Sequence, residues 1–156
     1  MVVLARGSKR VGEFLMETGL EAQVATLDDS TRTSQMAADA LGCSVAQIAK
    51  SIVFIDGGAV VVVISGDKRV DPKKLSALLG EKVKIADADA VRRGTGYVIG
   101  GMPPFPHAEG VRVILDSSLS RFDEVWTAAG TPNSVMKISV SDLGDVVSGG
   151  FVEVAR

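Results

Sequence analysis

The stretch running from residue 51 to residue 64 constrains the fold of this chain more than any other. Ser51-Ile52-Val53-Phe54-Ile55-Asp56 and Ala59-Val60-Val61-Val62-Val63-Ile64 flank Gly57-Gly58. Two β-branched runs separated by a glycine pair predict a β-hairpin. The second run has no polar alternation, so both of its faces should be covered and it should lie at the centre of a sheet. Helical and strand signals alternate around it. Ser8 reads as the cap of a helix over 8–18, with Val11, Phe14, Leu15 and Thr18 on one face and Gly19 as its stop. A strand is expected over 22–27, then a polar connection over 28–33. Ser34 is the expected cap of a helix carrying Ala37, Ala38 and Leu41 and closed by Gly42, with a further helical turn over 45–49. Asp71-Pro72 opens a helix over 73–79 that ends at Gly80. Further strands are expected over 83–85, 97–99, 111–115, 125–128, 135–140 and 151–154, with short helices over 88–93 and 141–143. With no repeat and no linker, residues 1–156 read as a single mixed α/β domain, a central sheet with peripheral helices.

Composition narrows the chemistry. A 156-residue chain buries about 70% of the surface its unfolded form exposes and needs no disulfide or metal staple. Cys43 and His107 are the sole residues of their types. An internal disulfide and a histidine-rich metal site are excluded, which points to a reducing, cytoplasmic setting and a protein without metal or cofactor. The longest apolar run, 59–64, is far short of the ~18 residues of a spanning helix. There is no Walker A sequence, no Gly-x-Ser-x-Gly elbow and no Cys-x-x-Cys. The net charge of −2 argues against bulk coating of nucleic acid. Between Gly66 and Arg93, however, eight basic residues face five acidic ones. That local excess suits a few phosphates of a polyanion, or equally a set of solvated helix faces.

Two segments are candidates for chemistry. Lys50 stands where a helical turn gives way to an apolar strand, in Gln47-Ile48-Ala49-Lys50-Ser51-Ile52-Val53-Phe54. An ammonium held there suits one phosphate or one developing oxyanion; the alternative is a lysine that snorkels to solvent. The second segment is Gly94-Thr95-Gly96-Tyr97-Val98-Ile99-Gly100-Gly101-Met102-Pro103-Pro104-Phe105-Pro106-His107. Glycines admit a ligand close to backbone N–H groups and prolines stiffen the loop, which suits a rigid cradle for a carbonyl or oxyanion. A purely structural turn is the competing reading. Cys43, with no basic neighbour nearer than Lys50, reads as structural.

The order of these features resembles a known family. Thr33-Ser34-Gln35-Met36-Ala37-Ala38-Asp39-Ala40-Leu41-Gly42 precedes the Lys50 segment. Ser65-Gly66-Asp67-Lys68-Arg69-Val70-Asp71-Pro72-Lys73-Lys74-Leu75, Gly100-Gly101-Met102-Pro103-Pro104-Phe105 and Ile114-Leu115-Asp116-Ser117-Ser118-Leu119 follow. Over nearly its whole length the chain resembles the YbaK/ProX family of free-standing aminoacyl-tRNA deacylases, related to the editing insertion of bacterial prolyl-tRNA synthetases. The resemblance implies a largely antiparallel mixed sheet. It implies hydrolysis of the ester joining a small wrong amino acid (cysteine, alanine, serine or threonine) to the terminal adenosine of a tRNA, with tRNA-Pro a candidate carrier. Mischarged tRNA is then the partner, and a synthetase a second one. Lys50 matches the signature lysine associated with the phosphate and ribose. Gly100, Gly101, Met102, Pro103 and Pro104 match the loop lining the amino-acid pocket. On this reading Lys50, Gly101 and Met102 are catalytic, the latter two through backbone N–H groups. Thr31, Thr33, His107, Ala129 and Gly130 join the loop in binding substrate. A non-catalytic module that binds aminoacyl-tRNA or a synthetase is the alternative.

Overall fold

The structure, a computed structural model, describes residues 6–22, 24–28, 33–147 and 149–156. Its centre is the expected hairpin. Strand β2 (Ile48–Ile55) pairs antiparallel with β3 (Ala59–Ser65) over seven residue pairs. Gly57 turns the chain at φ +117°, a conformation that strains any side chain, and Asp56 Oδ1 accepts from Gly58 N at 3.2 Å. Every residue of β3 is buried. The reason is topological: β3 lies between β2 and β5 (Arg112–Asp116), with helices or loops over both faces.

The other strands are β1 (Val24–Thr26), β4 (Lys84–Ile85), β6 (Glu124–Ala128), β7 (Ser134–Ser139) and β8 (Phe151–Val152). The sheet runs β1-β7-β6-β2-β3-β5-β8, with β4 added to the far end of β2. Four pairings are antiparallel; β2–β6, β3–β5 and β5–β8 are parallel. Helix α1 (Arg6–Thr18) lays Val11 and Leu15 into the larger core. Helix α2 (Ser34–Leu41) packs with Ile48 and Trp126. Helix α3 (Pro72–Leu79) buries Leu75 in a second core on the opposite face, α4 (Ala88–Thr95) buries Val91, and α5 (Val140–Val146) buries Leu143.

Several boundaries differ from the sequence reading. Helix α1 begins before Ser8, whose side chain is buried in its first turn, with Oγ 3.4 Å from Thr131 Oγ1. Thr33, not Ser34, caps α2, accepting from Met36 N at 3.1 Å. The turn over 45–49 stops at Gln47, so Lys50 is the third residue of a strand and not a junction residue. The last strand is two residues long. Residues 97–99 are not a strand. Tyr97 is buried there, but its hydroxyl donates to Pro106 O at 2.9 Å and its ring packs on His107, so the segment belongs to the loop between α4 and β5. Burial of Tyr97 mimics a strand pattern because a loop anchored by an aromatic side chain hides apolar groups as a strand does.

Candidate functional site

The site begins with a fork in the sheet. Strands β2 and β6 run parallel only through Ile48–Trp126 and Ala49–Thr127, and then separate. The outer edge of β2 is taken up again by β4 at Phe54 and Ile55. Backbone direction within β2 is fixed by two bonds. Ile48 O accepts from Gly66 N on the β3 side (2.7 Å), and Val53 O accepts from Ala86 N on the β4 side (2.9 Å). Alternation therefore turns the N–H and C=O of Ser51 into the fork, where neither β6 nor β4 pairs with them. The Ser51 hydroxyl is itself buried without a hydrogen-bond partner among the described residues. Unsatisfied polar groups of this kind are uncommon in folded proteins.

A cleft of about 440 Å³ occupies the fork, within the usual range for small-molecule sites. Strand β2 contributes Lys50 and Ser51, α2 and its cap contribute Thr33 and Ser34, and β6 contributes Trp126, Thr127 and Ala128. Gly100 and Met102 close it from the loop side. Lys50 is its only ionisable lining side chain among the described residues. Lys50 is half-buried, and among the described residues its one hydrogen bond is a long one, 3.4 Å from Nζ to Gly66 O. Burial makes the ammonium less basic than an ordinary lysine, and Arg69 adds to this; Asp67 opposes it. Asp67 is largely neutralised by Arg121, 2.7 Å away, which holds its carboxyl below the usual range.

The loop is rigid for identifiable reasons. Phe105 packs on Phe14 of α1 at 5.0 Å between ring centroids. Arg10 lies over the Tyr97 ring at 4.7 Å. Gly101 N donates to Val98 O and Gly101 O accepts from Gly130 N, both at 3.0 Å. A Cβ on Gly101 would fall 2.7 Å from Thr131 C, so glycine is what lets this loop touch the β6–β7 turn.

The structure thus brings together Lys50, Gly100, Met102 and Thr33 of the predicted set. Gly101 is placed beside them, but its N–H is already committed to Val98 O; between the two expected donors, Met102 N–H alone has no acceptor among the described residues. Pro103, Pro104, Ala129 and Gly130 do not line the cleft. The two prolines and Ala129 are buried behind it, and Gly130, at φ +105°, abuts Gly7. His107 also stands away from the cleft. Its Nε2–H donates to Pro103 O at 2.9 Å, and burial, with Arg10 nearby, depresses its basicity. It braces the loop. Thr31 lies outside the described residues. Ser51, Trp126 and Thr127 were not singled out by the sequence. Ser51 carried a usable signal, a polar residue heading an otherwise apolar strand beside Lys50.

Comparison with known proteins shows the family and the fold. Residues 28–146 match the model of the aminoacyl-tRNA editing domain. The chain belongs to that family. It is therefore an editing hydrolase of aminoacyl-tRNA, built on the mixed sheet described above. The Bacillus subtilis protein YwhH is 33% identical over 88% of each chain. The Escherichia coli multifunctional Ser/Thr-tRNA deacylase ProXp-y is 25% identical over 91% of this chain and 90% of its own. A crystal structure described as a candidate trans-editing enzyme for prolyl-tRNA synthetase superposes with a TM-score of 0.91. It is 34% identical and covers 99% of both chains.

Proposed function

We propose that this chain hydrolyses, in trans, the ester of tRNA mischarged with a small amino acid of the Cys/Ala/Ser/Thr class, tRNA-Pro being a candidate carrier. The observation that carries this reading is the cleft itself, with one ammonium in its lining, unpaired backbone polarity in its wall and, among the described residues, no acid or histidine lining it. Lys50 holds the phosphate and ribose of the terminal adenosine. The acyl group enters among Met102, Thr127, Ala128 and Val135. Met102 N–H and Ser51 N–H face the ester carbonyl and stabilise the oxyanion as it forms. A water attacks the carbonyl carbon. The free hydroxyl of the terminal ribose positions that water and takes part in its deprotonation, since the described residues of the lining include no carboxylate or imidazole to act as base. The tetrahedral intermediate collapses with release of the amino acid and the ribose hydroxyl.

Such a second sieve has a physical justification. A synthetase pocket discriminates one methylene or an isosteric group by only about 1–3 kcal/mol, and hydrolysis at a smaller site supplies the rest. The test is a deacylation panel of tRNAs charged with cysteine, alanine, serine, threonine and proline. Rapid release of one small amino acid, with proline spared, is the expected result. Binding of charged tRNA without release of any amino acid would favour the non-catalytic reading.

A further inference from the structure

A second groove opens beside the Lys50 cleft. It holds about 330 Å³ between β4, the start of α3 and the last residues of the described chain. Its floor is apolar, formed by Ile52, Phe54, Val70, Val83 and Ile85. Ile85 is 68% exposed, unusual for isoleucine on a strand. Its rim carries three cations, Arg69, Lys84 and Arg156. None of them forms an ion pair among the described residues. Arg156 N donates to Arg69 O at 2.9 Å, and Val70 bridges Ala155, so the two arginines are set side by side by backbone bonds.

The nearby acidic groups are engaged elsewhere. Asp67 is paired with Arg121, Glu153 with Lys74, and Asp71 caps α3 through Lys73 N. The groove adjoins the cleft: Ile52 lines both. Alternation along β2 also puts Lys50, Ile52 and Phe54 on one face of the sheet. The cations of the rim therefore continue from the ammonium of the cleft.

An apolar floor edged by unpaired cations matches one chemistry above others. Single-stranded nucleic acid offers base faces to an apolar surface and phosphates to the cations on its rim. A duplex presents phosphates but keeps its bases stacked. We infer that this groove takes the unpaired nucleotides preceding the terminal adenosine of the tRNA, seating their bases on Ile85 and its neighbours and their phosphates on Arg69, Lys84 and Arg156. This rests on the functional reading above, which places that adenosine at Lys50.

The test compares the full chain with R69A/K84A/R156A and with I85S. A labelled single-stranded RNA ending in the tRNA acceptor sequence measures binding directly. Aminoacyl-tRNA and aminoacyl-adenosine, which bear the same ester with and without the preceding nucleotides, measure turnover. The triple variant should bind the RNA at least tenfold more weakly and lose about two from the log–log salt slope, at ~0.7 per single-strand phosphate. It should raise KM for aminoacyl-tRNA, with kcat held, and leave aminoacyl-adenosine unchanged. I85S should weaken RNA binding without changing the slope. Unaltered RNA binding by the triple variant would overturn the inference, as would equal losses on both esters. Failure of the wild-type chain to cleave either ester would instead overturn the functional reading, while the RNA-binding comparison still decides the groove.

Discussion

Replacing Lys50 with methionine separates function from folding. Methionine keeps the aliphatic stem and removes the charge. Two unit charges about 4 Å apart attract by ~1 kcal/mol in water and ~4 kcal/mol at an effective dielectric of 20. For a half-buried ammonium against a phosphate, a loss of about 2–4 kcal/mol follows, or roughly 30- to 1,000-fold in kcat/KM. The fold should not suffer. Lys50 contributes one 3.4 Å hydrogen bond, and burial disfavours its charged form. Because folded Lys50 is less basic than unfolded Lys50, the unfolded chain binds more protons between the lowered value and the ordinary 10.5. Wild-type stability should therefore rise with pH through that window, and Lys50→Met should lack the rise. At neutral pH the variant should be as stable as wild type or more so. The charge that anchors substrate is lost over the same window, so kcat/KM should fall on the alkaline side earlier than for an exposed lysine. Thermal melts and single-turnover deacylation across pH are the assays. A variant that unfolds early, or that cleaves as fast as wild type, would refute the reasoning.

Three further outcomes are expected. Gly101→Ala drives a Cβ against the Thr131 backbone; overpacking of about 1–3 kcal/mol should lower Tm by several degrees, and displacing Met102 should reduce kcat. His107→Ala removes the bond to Pro103 O and the edge-on contact with Tyr97. It should cost about 1–2 kcal/mol in denaturant melts and leave the shape of the pH–rate profile between pH 5 and 8 unchanged; disappearance of a titration in that profile would return His107 to the chemistry. Asp116→Ala leaves three buried or part-buried N–H donors, of Ser118, Val154 and Ala155, without their acceptor. It should destabilise by roughly 2–5 kcal/mol while folded molecules keep their kcat.

The hairpin was legible because glycine and β-branched residues act locally, and the unbroken apolar run of 59–64 could only be central. Helix α3 was legible because Asp71, Pro72 and Gly80 punctuate it by their own backbone preferences. Lys50 and the glycine–proline loop were legible as a pair through family resemblance, and they do share one cleft at Gly100 and Met102. The fork that makes this cleft was not legible. Nothing in residues 124–128 says that β6 will leave β2 after Thr127, because register between strands about 75 residues apart is set by packing, not local sequence. For the same reason the sequence marked Ser51 as a polar residue beside Lys50 but not its open backbone groups, which depend on the strand edge there being unpaired. The direction of each loop amide was equally hidden: Gly101 and Met102 are neighbours in sequence, yet one N–H is spent on Val98 O and the other is not. Local chemistry thus determined which residues stand ready, while long-range pairing decided which of them meet, since a backbone group is available to a ligand only where the sheet leaves it unpaired.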